Sequence, residues 1–268
     1  MDRTMQVQKA EAFAKLHKPG EPLVLVNIWD AASAAAVAKA GAKALATSSA
    51  AVALAQGYAD GEKLPRELLM ATARMIAAAN GIPLTVDCES GYGRAPEVVA
   101  ETAAAVIEAG AIGMNLEDQV MGENRIFSIA DQVARIKAAR AAADKAGVPL
   151  VINARTDIFL KTPREKHTGA EVEAALERAE AYAKAGASSF FVPGLLAPDL
   201  LARVCKGSPL PVNAMAGMAG SPSAKDLAAL GVARISLGPF PFRTMMVALG
   251  QLAERALAKG ILDPSPAV

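Results

Sequence analysis

Cysteine, histidine and aromatic side chains are all scarce in this chain of 268 residues. Two cysteines, Cys88 and Cys205, build no disulfide framework and have no paired metal-thiolate spacing. Aromatic residues make up 4%, which leaves few platforms for stacking nucleobases. The formal net charge is +1 with no block of either sign, an argument against nucleic acid and anionic membrane as partners. No apolar run reaches spanning length, because acids and lysines punctuate the alanine-rich stretches. The segment after Met1 is mixed and polar rather than an apolar signal core. These absences predict a soluble, cytoplasmic protein. Hydrophobic content is nevertheless 53%, much of it alanine, which favours closely packed helices over a greasy surface.

Strand-length apolar runs recur at 23–30, 44–49, 84–89, 113–118, 150–156, 189–194, 211–217 and 234–238. Alanine-rich stretches of helical period separate them, the clearest at 98–109, 129–146 and 171–185. Ala40-Gly41-Ala42, Ala109-Gly110-Ala111, Ala185-Gly186-Ala187 and Leu230-Gly231-Val232 each close a helical pattern, as a glycine C-cap does. Gly81-Ile82-Pro83 and Gly147-Val148-Pro149 enter two further strands through proline. A doubly wound open sheet uses the same units. Eight of them in a chain without a linker or composition break predict one (β/α)₈ barrel domain over 1–268.

In such a barrel the strand C-termini face the active site. Those ends carry Asn27 and Asp30, Thr47-Ser48-Ser49, Asp87 and Glu89, Glu117 and Asp118, Asn153 and Arg155, Pro193, Asn213 and Ser236. Strand alternation predicts that Asp87 and Glu89 share a side and that Cys88 points away to pack in the core. Carboxylates converging there make the oxygen-rich kind of site that Mg²⁺ prefers. Neither histidine is among them. His17 lies outside the strands, and His167 falls in the polar loop 161–169, where a surface position is expected. A Ser-His-Asp hydrolase and a His-rich zinc site are therefore disfavoured. Gly91-Tyr92-Gly93 without a third glycine is a weak dinucleotide signal.

Each residue also has a plainer reading. Asp87 and Glu89 could cap a helix, Arg155 could balance acids in a structural ion pair, and Ser48-Ser49 could be small-residue packing.

The spacing of Ser48-Ser49, Gly57-Tyr58-Ala59-Asp60, Asp87-Cys88-Glu89-Ser90-Gly91-Tyr92-Gly93, Leu116-Glu117-Asp118 and Asn153-Ala154-Arg155-Thr156-Asp157 resembles the isocitrate lyase/phosphoenolpyruvate mutase superfamily. The resemblance extends over nearly the whole chain. It implies a (β/α)₈ barrel with its C-terminal helix exchanged between subunits in homodimers or homotetramers. It also implies Mg²⁺, with Mn²⁺ as substitute, and a small 2-oxo or 2-hydroxy acid whose chemistry passes through a pyruvate-type enolate. By position, Asp87 resembles the direct metal ligand, and Asp60, Glu89 and Glu117 resemble acids that hold the metal through water. Thr47, Ser48, Ser49, Asp87, Arg155 and Asn213 are the substrate-binding candidates. Within that set Ser48 and Ser49 resemble the grip on a carboxylate or enolate oxygen, and Arg155 pairs with a carboxylate.

Departures from the family pattern matter. After Glu117-Asp118 the lyases of this superfamily carry Lys-Lys-Cys-Gly, whereas this chain reads Gln119-Val120-Met121-Gly122-Glu123-Asn124-Arg125-Ile126-Phe127. The longer phosphonomutase loop with Pro-Lys-x-Asn is missing too, and Pro193 stands where the family has a histidine near the sixth strand. Residues 119–127 are expected to form a mobile lid hinged at Gly122. Glu123, Asn124 and Arg125 join Arg155 and Glu117 as catalytic candidates. The readings are a Mg²⁺-dependent lyase that cleaves a C–C bond or decarboxylates, a C–P mutase or hydrolase of phosphonopyruvate type, and a barrel that binds a 2-oxo acid without turnover. The stripe of Phe242, Met245, Met246, Leu249 and Leu252 needs a partner, either its own barrel or a neighbour's.

Overall fold

Nine short parallel strands hydrogen-bond in one continuous ring in this computed structural model, which describes residues 2–218 and 220–262, apart from the side chain of Lys259. They are β1 (Leu23–Leu25), β2 (Asn27–Ile28), β3 (Leu45–Thr47), β4 (Leu84–Asp87), β5 (Gly113–Glu117), β6 (Val151–Arg155), β7 (Ser189–Phe191), β8 (Val212–Met215) and β9 (Arg234–Ser236). The first two are halves of one run broken at Val26. The lower half pairs with β9 and the upper half with β3, so the run closes the barrel. Eight staves result, in register with the eight apolar runs of the sequence.

Helices cover the outside: α2 (Ala31–Lys39), α3 (Ser49–Ala55), α4 (Arg66–Ala79), α5 (Pro96–Glu108), α6 (Ile129–Ala146), α7 (Ile158–Lys161), α8 (Gly169–Lys184), α9 (Pro198–Gly207), α10 (Ala224–Ala229) and α11 (Phe240–Lys259). The capping glycines work as expected. Gly110 and Gly186 adopt φ of 88° and 101°, open to glycine and strained for other residues. At Gly186 a Cβ would also come within 2.9 Å of Arg140 Cγ.

One element has no counterpart in the strand-and-helix reading of the sequence. The polar N-terminal segment forms α1 (Arg3–Lys15), started by Asp2, whose Oδ1 accepts from the Thr4 amide. Its buried face is Gln6, Ala10 and Phe13, a narrow stripe easily missed among charged neighbours. The Gln6 side chain donates to the carbonyls of Ile107 and Ala111, both at 2.8 Å, just ahead of β5. α1 therefore closes the end of the barrel opposite the strand C-termini.

Side-chain alternation divides every strand. Val86, Met114, Leu116, Ile152, Ala154, Phe190, Ala214 and Ile235 pack in the hydrophobic core. A row of the alternate positions on neighbouring strands is polar and bonded together. Asn115 donates to Asp87 Oδ1 (3.2 Å), Asn153 to Asn115 Oδ1 (2.9 Å) and Ser189 to Asn153 Oδ1 (2.7 Å). This chain follows the sheet register, where 87 opposes 115, 115 opposes 153 and 153 opposes 189. Arg234, 1% exposed, reaches Asn115 Oδ1 at 3.3 Å. A buried polar network of this kind pins side chains in place.

Candidate active site

Asp87 ends β4 and is held on three sides. Its amide donates to Thr47 Oγ1 (2.8 Å), while its carboxylate accepts from Asn115 Nδ2 and from the Ser49 amide at 3.1 Å. Thr47 and Asn115, both buried, thus act on the carboxylate's placement. Ser48 is engaged elsewhere: its amide donates to the Ile28 carbonyl and its hydroxyl caps α3 at the Ala51 amide. Asn213 exchanges hydrogen bonds with Ser236 inside the barrel and is fully buried. Cys88 is buried in the core as expected, and burial raises its thiol well above the ordinary range.

Glu89 reaches the same rim by another route than alternation. β4 stops at Asp87, and Glu89 takes φ 49°, so the period-two rule no longer applies to it. Its Oε2 accepts from the amides of Gly61 (2.8 Å) and Glu62 (2.9 Å), which follow Asp60 directly. Glu62 replies across the gap, accepting from the Tyr92 amide (2.7 Å) and the Ser90 hydroxyl (2.8 Å). Burial first, and then the charge of Asp60, push the Glu89 carboxyl up to about 8. Asp60 lies at the exposed edge, and partial desolvation together with Asp87 raises its carboxyl as well. The sequence singled out Asp60 and Glu89 but gave no sign of Glu62, whose acid-x-acid pattern in the charged loop Asp60-Gly61-Glu62-Lys63 matches no motif.

Glu117 and Arg155 face each other across β5 and β6, with Arg155 Nη1 at 2.6 Å from Glu117 Oε2. The same guanidinium grips Asp157 through Nε (2.6 Å) and Nη2 (3.0 Å). Burial drives the Glu117 carboxyl well above its ordinary value against the pull of Arg155. Burial opposes the charge on Arg155, but Asp157 and Glu117 outweigh it and hold the group above its usual range. Asp118, the next residue, turns outward instead. Its Oδ2 accepts from Arg178 (3.1 Å) and Tyr182 (2.9 Å) of α8, and its Oδ1 from the Asp157 amide.

Residues 119–127 form a tight reversal, with an antiparallel bridge between Gln119 and Ile126 and Val120 donating to the Arg125 carbonyl at 3.0 Å. Gly122 has φ 79°, the permissive conformation expected at a hinge. Glu123 joins Arg125 and Arg94 in ion pairs, and Asn124 and Arg125 are exposed. These charges engage one another rather than the strand-end acids. At the base of the reversal, Phe127 stacks under the Arg135 guanidinium at 4.1 Å. His167 is half-buried rather than on the surface, edge-on to Phe159 with its Nε2 at 3.0 Å from the Phe159 and Thr162 carbonyls.

Residues 13–257 match the family model for phosphoenolpyruvate phosphomutase. The chain belongs to the phosphoenolpyruvate phosphomutase family. The phosphoenolpyruvate phosphomutase of Streptomyces hygroscopicus is 31% identical over 252 residues, covering 90% of this chain and 77% of that protein. A solved chain from Burkholderia cenocepacia J2315 is 49% identical with a TM-score of 0.91, covering 94% of this chain and 99% of its own. The structure of 2,3-dimethylmalate lyase, described as a PEP mutase/isocitrate lyase superfamily member, is 26% identical with a TM-score of 0.83 and covers 96% and 88%. Lyases and mutases thus share the fold of this chain.

The donor set in this family member suits a hard cation. The charge of Asp87 adds to burial in raising the Asp60 carboxyl, both acids add to burial in raising Glu89, and added positive charge would relieve that crowding. Among the described residues no three His, Cys, Asp or Glu side chains converge closely enough to ligate an ion directly. Mg²⁺ keeps several waters and needs one or two carboxylates in direct contact, which Asp87 with Asp60 and Glu89 beside it can supply. Among the described residues, no helix is long and apolar enough to cross a membrane.

Proposed function

We propose that this protein is a Mg²⁺-dependent lyase acting on a small 2-oxo dicarboxylic acid, with decarboxylation of an oxaloacetate-like substrate as its reaction. The observation that carries the reading is the group of acids around Asp87, crowded enough to push Glu89 to about 8, at the strand C-termini beside Arg155. Superfamily members are Mg²⁺-dependent, and they include lyases and mutases. In this reading Asp87 holds the ion, with Asp60, Glu89 and Glu117 reaching it through water. Bound there, Mg²⁺ supplies Lewis acidity toward the 2-oxo group.

The chain's own residues do the rest. Asn115, Thr47 and the Ser49 amide fix the Asp87 carboxylate, and Arg155 offers a planar fork to a substrate carboxylate near Glu117. Of the Ser48-Ser49 pair, Ser48 caps α3 and the Ser49 side chain hydrogen-bonds Asp60, so the pair contributes to the site by holding Asp87 and Asp60. Decarboxylation asks for little more. The C3–C4 bond breaks, its electron pair moves toward the 2-oxo oxygen, CO₂ leaves, and a proton from water completes pyruvate. No base removes a proton in the bond-breaking step, whereas a retro-aldol split needs one for a hydroxyl. The strand ends carry no histidine, lysine or reactive cysteine, and the rim carboxylates left to serve as that base are the ones this reading assigns to the cation.

A coupled assay tests the reading: pyruvate should form from oxaloacetate under Mg²⁺, and Asp87→Ala should abolish it. Pyruvate from phosphonopyruvate instead would move the protein to the C–P class named by its Streptomyces relative. Tight oxalate binding with no turnover on a dicarboxylate panel would leave a binding barrel. We further place this protein in a homodimer or homotetramer through α11. Phe242 anchors the helix to its own barrel, edge-on to Trp29 at 5.1 Å. Beyond it Met245, Met246 and Leu249 are 54%, 42% and 56% exposed, and an apolar cleft of about 670 Å³ lined by Trp29, Ala36, Val37 and Phe240 lies alongside. A partner's α11 suits that cleft.

A further inference from the structure

Three non-glycine residues have φ in the left-handed region among those described: Glu62 (59°), Glu89 (49°) and Tyr92 (64°). All three fall in two loops that face each other at the rim, one between α3 and α4 and one after β4. Side chains other than glycine avoid this conformation, and where it persists the surroundings must enforce it. Here the enforcement is reciprocal. Glu89 Oε2 accepts from the amides of Gly61 and Glu62, and Glu62 Oε1 accepts from the amide of Tyr92 and the hydroxyl of Ser90. Each loop's carboxylate satisfies the other loop's backbone.

The second loop is braced independently. Arg135, 1% exposed, donates to the carbonyls of Ser90, Gly93 (2.6 Å) and Arg94 (2.8 Å). A Cβ at Gly91 would meet Leu116 and Val99 at 3.1 Å, so that turn has little room to shift. The first loop has no such brace in its own backbone. It is tied to the rim through the two carboxylates and through Asp60, which sits one residue before the Gly61 amide and hydrogen-bonds the Ser49 side chain. Glu62 touches none of Asp87, Glu117 or Arg155 through a hydrogen bond, yet two of the cation-site acids depend on where its loop sits.

We propose that Glu62 is a positioning residue of the cation site, whose carboxylate locks the 60–62 loop onto the 89–92 loop and thereby sets Asp60 and Glu89 relative to Asp87. The proposal rests on the reading of that site as one for a divalent cation. Loss of the Glu62 carboxylate releases the 60–62 loop, frees Glu89 from its two amides and leaves Asp60 with its Ser49 contact but no fixed loop behind it.

The test uses the full chain with Mn²⁺ alone as probe, measured by electron paramagnetic resonance, alongside amide hydrogen exchange and thermal melting. Glu62→Ala should weaken Mn²⁺ binding at least tenfold and speed exchange at the Gly61 and Tyr92 amides at least tenfold. Glu62→Gln, whose Oε1 still accepts both bonds, should stay within threefold of wild type on both. Glu62→Gly removes the left-handed strain together with the carboxylate. It should behave like alanine toward Mn²⁺ while melting close to wild type, which separates positioning from bulk stability. Wild-type Mn²⁺ affinity in Glu62→Ala overturns the proposal, whatever its exchange rates. A wild-type protein that binds no Mn²⁺, with amides still freed by Glu62→Ala, sinks the cation reading itself and reduces Glu62 to a loop fastener.

Discussion

Arg155 and Glu117 stand opposite each other in the β5–β6 register, and their charged groups meet at 2.6 Å with the carboxylate almost wholly buried. Asp157 binds the other edge of the same guanidinium and is fully buried too. One cation thus serves two buried anions.

Arg155→Met should therefore be among the more damaging substitutions in the chain. It strands two buried carboxylates, and breaking a buried pair from one side costs about 3–5 kcal/mol. Glu117→Gln should cost less, because Asp157 still holds the arginine. Urea unfolding of both variants checks this, and a smaller loss for Arg155→Met than for Glu117→Gln would contradict the arrangement.

The lid expectation takes a specific form in the structure. Exposed ion pairs from Glu123 to Arg94 and Arg125 are weak and salt-screened, so they fasten the reversal loosely. Protease nicking within residues 119–127 should increase with salt and fall when Mg²⁺ and oxalate are added together. Replacing Glu123, Asn124 and Arg125 together with alanine should lower turnover at least tenfold and leave the melting temperature within a few degrees. Wild-type turnover in that variant would remove the loop from the mechanism.

Acid should destabilise the protein through His17. Burial, and then the charge of Arg234, lower this imidazole from 6.5 to about 4, so the folded state keeps it neutral. Below pH 6.5 the unfolded chain takes up a proton that the folded chain refuses. Stability is therefore fully present above pH 6.5 and declines as pH falls toward 4, by about 3 kcal/mol in all. His17→Asn should flatten that limb of a stability–pH curve. An unchanged slope between pH 6.5 and 4 would show that other groups dominate.

Helix α11 gives the assembly prediction. Wild-type protein at micromolar concentration should sediment as a dimer or larger species, and Met246→Glu combined with Leu249→Glu should shift it toward monomer. A wild type that sediments only as monomer would rule out helix exchange.

The barrel was legible because its signals are local. Helical period, glycine caps such as Gly110 and Gly186, and proline-led strand entries act within a few residues. They place each βα unit almost to the residue, as α6 at 129–146 illustrates. The positions of Asp87, Glu117 and Arg155 followed, since a strand end in a barrel is also a site position. α1 was missed because its buried face of Gln6, Ala10 and Phe13 is thin and includes an amide. Glu89 joins Asp87 at the rim as parity suggested, but by another route, because β4 ends at Asp87 and Glu89 itself takes a left-handed conformation that no residue type there announces.

Sequence alone thus settled the repeating order of strands and helices after α1 and, Glu62 apart, the acids on the rim. The division of labour among those acids came with tertiary structure. Asp118 turns to Arg178 and Tyr182 while its neighbour Glu117 turns to Arg155, and Ser48 caps a helix while the Ser49 amide holds Asp87. Glu62 meets the Tyr92 amide from thirty residues away. Such partners are chosen by distance and direction in space, and these exist only once neighbouring strands bring their loops side by side.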